Sequence, residues 1–114
     1  MGANEIILAC IRQLSAECHE VAKDHGFWPE EGRNDGELIA LVHSEASELL
    51  EACRKNKDAV SPHIPSHLLT EEECADIIIR VLDMAHARKW DVAGALLEKI
   101  KFNRNREFKH GKAF

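Results

Sequence analysis

No stretch of the 114 residues approaches the roughly 20 consecutive apolar residues that span a bilayer, and the opening residues combine no basic start, apolar run and small-residue cleavage site. Those absences predict a cytoplasmic protein with no membrane segment. The four cysteines (Cys10, Cys18, Cys53, Cys74) form no C-x-x-C pair, and the seven histidines show no spacing that completes a zinc site. All four cysteines fall in segments that read as helical, so reduced and mostly buried thiols are expected. Positive charge is not in excess either. Fifteen Lys and Arg against twenty Asp and Glu leave a formal net charge of -5, which argues against an extended contact with polymeric nucleic acid. No segment alternates with the two-residue period of a strand. Glu-x-x-His, which carboxylate-bridged di-iron bundles use on two helices, occurs once, at Glu107 and His110, and has no second copy.

What remains is 45% hydrophobic and 31% charged, a composition suited to a single globular domain over residues 1–114. The periodicity predicts an all-α fold, a compact bundle of about four main helices. The first runs from about Asn4 to His25, with Ile7, Leu8, Ile11, Leu14, Cys18, Val21 and Ala22 recurring at three- and four-residue steps. Gly26 stops it, and residues 27–36 form a loop dense in turn formers that carries Trp28. A second helix starts near Asn34 or Asp35, either of which can cap it, and runs to about Arg54. Pro62 and Pro65 make residues 55–69 a long connection. Thr70 is expected to cap a third helix, and a last one runs from Asp91 to about Lys109, with Leu96, Ile100 and Phe108 among its core candidates.

Two acidic motifs dominate this pattern. Glu45-Ala-Ser-Glu48 on the second helix and Glu73-Cys-Ala-Asp76 on the third each place two carboxylates one turn apart, on one face. Four such groups facing one another suit a hard divalent cation, with oxygen ligands and retained waters. Taken singly, Glu45 and Glu48 also fit a solvated helix face, and Glu73, three residues after Thr70, also fits a capping box. Asp76 has no such reading. Between Glu73 and Ala85 the only polar residues are Glu73, Asp76, Arg80 and Asp83, confined to an arc of about 80°. A charged stripe so narrow on an otherwise apolar helix must be paired or metal-bound. Arg80 and Asp83 are expected to pair with opposite charges across the core or a subunit boundary, Asp83 being alternatively a further metal ligand.

Lys99, Asn103 and Arg106 fall within about 60° on the last helix. Facing the acids they would hold the anionic end of a substrate; otherwise they are a basic helix end that complements the dipole. Trp28 either stacks on a nucleobase or lids the core.

Together these residues make the chain resemble the all-α nucleotide pyrophosphohydrolases, the MazG-like group that includes the dimeric dUTPases and the dCTP pyrophosphatases. The resemblance rests on the ordered E-x-x-E and E-x-x-D motifs (Glu45, Glu48, Glu73, Asp76). It extends over the loop from His25 to Trp28, the lead-in from Gly36 to His43, and the K-x-x-x-N-x-x-R tail of Lys99, Asn103 and Arg106. The spacer at residues 55–69 is longer and richer in proline than in some members. The resemblance implies hydrolysis of a nucleoside triphosphate, ordinary or modified, between its α- and β-phosphates. It further implies magnesium, or manganese as a substitute, on the four carboxylates, with one glutamate, Glu48 being the candidate, orienting the water. Lys99, Asn103 and Arg106 would then contact phosphates and Trp28 the base, in a homodimer or homotetramer. The competing reading is a non-catalytic helical interaction module whose buried polar stripe only sets pairing register.

Overall fold

The three- and four-residue spacing of apolar side chains is realised as helix throughout. The computed structural model describes residues 2–113 and contains α1 (Ala3–Asp24), α2 (Asp35–Asn56), α3 (Leu69–Arg88), α4 (Val92–Arg104) and a 3-10 turn (Phe108–Gly111). Among the described residues there is no strand, only an isolated antiparallel bridge between Val60 and Leu68. Among the described residues no helix is long and apolar enough to cross a membrane.

α3 is the central element. It packs against α1 on one side and α2 on the other, while α4 lies on α1. Leu82, Met84 and Ala85 of α3, Leu38 and Ala52 of α2 and Ala93 of α4 form the buried apolar set. Ser15 of α1 is buried among them and donates to the Leu82 carbonyl at 2.5 Å, a polar pin across the α1–α3 contact.

Helix ends follow local chemistry. Gly26 adopts φ +85°, the left-handed conformation that ends α1 where the sequence predicts a stop. Asn34 caps α2, its Oδ1 accepting from the Glu37 amide at 2.8 Å. Asp91 caps α4 in the same way through Gly94. Two expected boundaries move. Thr70 does not cap α3. The Val60–Leu68 bridge, with Leu69 N–H donating to Ala59 at 2.8 Å, sets the chain earlier, and α3 begins at Leu69. Glu71 then accepts from the Leu68 amide at 2.7 Å. α4 stops at Arg104 instead of continuing to Lys109, because Asn105 folds back and donates through its side chain to the Lys101 carbonyl at 3.1 Å.

Burial departs from the expected pattern at the edges. Phe108, an expected core residue, is 88% exposed, since the helix that would have turned it inward has ended. Leu96 and Ile100 are also exposed. Cys10, Cys53 and Cys74 are free but exposed, and Cys18 is half-buried, where mostly buried thiols are expected from the sequence. The apolar arcs of the helices are wider than the contacts they make within one chain, and these thiols lie on the uncovered part.

Candidate metal centre

Packing of α2 on α3 brings the two acidic motifs together. Glu45 and Glu73 are buried, at 8% and 9% exposure, Asp76 is half-buried and Glu48 lies at the exposed rim. One carboxylate oxygen from each of Glu45, Glu73 and Asp76 falls within 4.8 Å of the others. Glu48 joins them through a hydrogen bond to Glu73 and through its charge on Glu45 and Asp76. Glu73 does not serve as a cap, because Glu71 fills that position and Glu73 points inward.

Crowding these acids perturbs their protonation. Burial, the hydrogen bond that protonated Glu73 donates to Glu48, and the charges of Glu48, Asp76 and Glu45 push the Glu73 carboxyl up to about 7. Burial first, then Glu48, raises Glu45 against the lowering effect of Arg80. Burial, then Glu72 and Glu48, raises Asp76. Glu45 receives one partner, Arg80 Nη2, at 3.3 Å from Oε1. Glu45 Oε2 and Glu73 Oε2 are buried without any hydrogen-bond partner. A buried carboxylate oxygen left unpaired is costly, and two from facing helices beside a third acid fit the oxygen donor set of a divalent cation.

The polar stripe of α3 divides between its two neighbours. Glu73, Asp76 and Arg80 face α2, whereas Asp83 turns to α1, where its oxygens are engaged. His19 Nδ1 donates to Asp83 Oδ1 at 2.9 Å, and Trp28 Nε1 donates to both oxygens at 3.0 and 3.2 Å. Asp83 thus pairs across the core, but with an imidazole and an indole where a charged partner is expected, and its committed oxygens leave it outside the cation cluster. Trp28 stands edge-on to His19, with centroids 5.1 Å apart, and the guanidinium carbons of Arg33 and Arg88 lie 5.4 and 5.7 Å from its ring centroid. Its indole ties the 27–36 loop to the bundle.

A cavity of about 680 Å³ opens beside the acids. Its lining includes Glu45, Asp76, Arg80 and Asp83, the aromatic Phe27 with His25, and the pair His63 and Glu72. Phe27, and not Trp28, is the aromatic residue that lines it. Lys99, Asn103 and Arg106 are absent from its lining. Lys99 and Asn103 lie on α4 and Arg106 follows its end, with the Lys99 and Arg106 cations 4.7 and 5.4 Å from the Phe102 ring centroid.

The pairing of His63 with Glu72 was not legible in the sequence. Ser61, 1% exposed, donates to Glu72 Oε1 at 2.5 Å and accepts from the amides of His63 and Ile64, while His63 Nδ1 donates to Glu72 Oε2 at 2.7 Å. Serine, proline and histidine in a spacer read only as turn formers; the contact exists because the Val60–Leu68 bridge folds the spacer onto the first turn of α3. Comparison of the chain with protein-family models, curated proteins and solved structures finds no match.

Proposed function

We propose that this protein is a magnesium-dependent nucleoside triphosphate pyrophosphohydrolase of the MazG-like type, releasing nucleoside monophosphate and pyrophosphate. The observation that carries the reading is the pair of buried, unpartnered oxygens on Glu45 and Glu73, within reach of Asp76 and beside a cavity that Glu45 and Asp76 line. A stripe that only fixed helix pairing would have its carboxylates partnered, as Asp83 is.

Glu45, Glu73 and Asp76 hold the cation from two helices, with Glu48 at the rim. Magnesium, or manganese in its place, supplies charge stabilisation at the phosphate and eases ionisation of the attacking water. The half-open position of Glu48 suits it to orient that water between cluster and solvent. Arg80 holds the Glu45 side chain in place from the next turn of α3. Phe27 supplies an apolar wall for a base. Lys99, Asn103 and Arg106 serve as phosphate contacts only if a second copy carries its α4 end to the cavity, so this assignment belongs with the homodimer or homotetramer. Under this reading the protein acts in the cytoplasm on nucleotides and not on polymeric nucleic acid.

Incubating the purified protein with magnesium and a panel of ordinary and modified nucleoside triphosphates is expected to release pyrophosphate. Glu48→Gln and Asp76→Asn are each expected to lower turnover by about 100-fold or more. Folded wild-type protein that releases none across the panel overturns the reading.

A further inference from the structure

The cavity beside the acids is short of positive charge. Glu17, Glu45, Glu72, Asp76 and Asp83 all line it, whereas its cationic side chain, Arg80, is committed to Glu45. A polyphosphate entering here would meet repulsion that a cation on Glu45, Glu73 and Asp76 does not offset. His25, one of two histidines on the lining, turns its Nδ1 to the Val21 carbonyl of its own helix. The other, His63, is held differently.

Ser61 and His63 between them engage both oxygens of Glu72, so that carboxylate is fixed by two hydrogen bonds from the spacer. Since a carboxylate accepts, His63 donates from Nδ1, and its Nε2 lies on the opposite side of the ring from Glu72. The His63 side chain is 78% exposed although its partner is only 14% exposed. A half-buried acid thus orients an exposed imidazole on the cavity lining, the arrangement used elsewhere to fix a histidine's tautomer and direction. From these contacts we infer that His63 binds a terminal phosphate of the substrate through Nε2 at the cavity mouth, with Glu72 and Ser61 holding it there. The same Glu72 contact, reinforced by Asp76 and Glu73 on α3, raises the pKa of the imidazole and favours its cationic form. This inference rests on the polyphosphate reading of the site.

Its test uses inorganic tripolyphosphate with magnesium, followed by titration calorimetry on the intact chain. Wild-type protein is expected to bind. His63→Gln is expected to weaken binding about tenfold or more, as for loss of one hydrogen bond to a charged group. His63→Lys, which restores positive charge without the imidazole's bond to Glu72, is expected to recover part of the loss. In turnover the His63→Gln defect is expected in KM more than in kcat. Melting curves of both variants separate a loosened spacer from a lost contact, because a mere latch would lower Tm and leave affinity unchanged. Unaltered tripolyphosphate affinity in His63→Gln, or no binding by the wild type, overturns the assignment. Pyrophosphate release with an unaltered His63→Gln removes only the role of His63. Binding through His63 without any release removes only the enzymatic reading.

Discussion

At the scale of single residues, Glu73 is the most informative group. Its carboxyl is raised from 4.5 to about 7, so between those values the folded chain holds more protons than the unfolded one. Its contribution to stability is therefore present below about pH 4.5 and is lost as pH rises through about 7. In chelator-treated protein, Glu73→Gln is expected to melt increasingly above the wild type, by several degrees, as pH is raised from 5 to 8. A difference that stays flat across that range contradicts the crowding of the four acids. With magnesium at pH 8 the order should reverse, because the wild type gains a bound ion that the variant has lost. Asp76 and Glu73 were legible in the sequence because a narrow charged stripe on an apolar helix requires a partner. The two orphan oxygens were not, since they depend on side-chain rotamers: Arg80 reaches only one oxygen of Glu45, and Glu73 turns its Oε2 inward with no partner.

At the scale of elements, the four helices were legible and their ends only partly so. Asn34, Asp91 and Gly26 act where their chemistry points. Thr70 does not, because a tertiary bridge between Val60 and Leu68 starts α3 earlier and hands the cap to Glu71. Nor was the end of α4 readable, where one asparagine folding back onto Lys101 stops a helix that composition alone would extend. The connection from α2 to α3 is the clearest loss: its prolines announce a loop but not the Ser61–Glu72–His63 contact. Ser61→Ala removes a buried hydroxyl that serves three hydrogen bonds. It is expected to cost about 1–3 kcal/mol in denaturant unfolding. A cost near zero would show that the spacer is not held by this residue. Asp91→Ala, an N-cap change at α4, should lower the melting temperature slightly and leave metal binding untouched, as circular dichroism melts with and without magnesium will report.

At the scale of the whole molecule, one chain leaves much apolar surface uncovered. Val21, Leu14, Leu50, Ile78 and Phe102 are each more than half exposed, and together they touch all four helices. Exposure this broad on a small helical domain favours self-association, and it gives Lys99, Asn103 and Arg106 a route to a cavity they do not line in their own chain. Light scattering during size exclusion is expected to give a dimer or tetramer, and Ile78→Lys to shift it toward monomer. A wild type that is monomeric at micromolar concentration contradicts that assembly and, with it, the role given to the α4 end.

If Glu45, Glu48, Glu73 and Asp76 form one cation site, the melting temperature at pH 8 must rise with magnesium concentration. Saturable stabilisation of the wild type is predicted, with Asp76→Asn folded but unresponsive. Equal melting temperatures with and without saturating magnesium, or an undiminished response in Asp76→Asn, would contradict it.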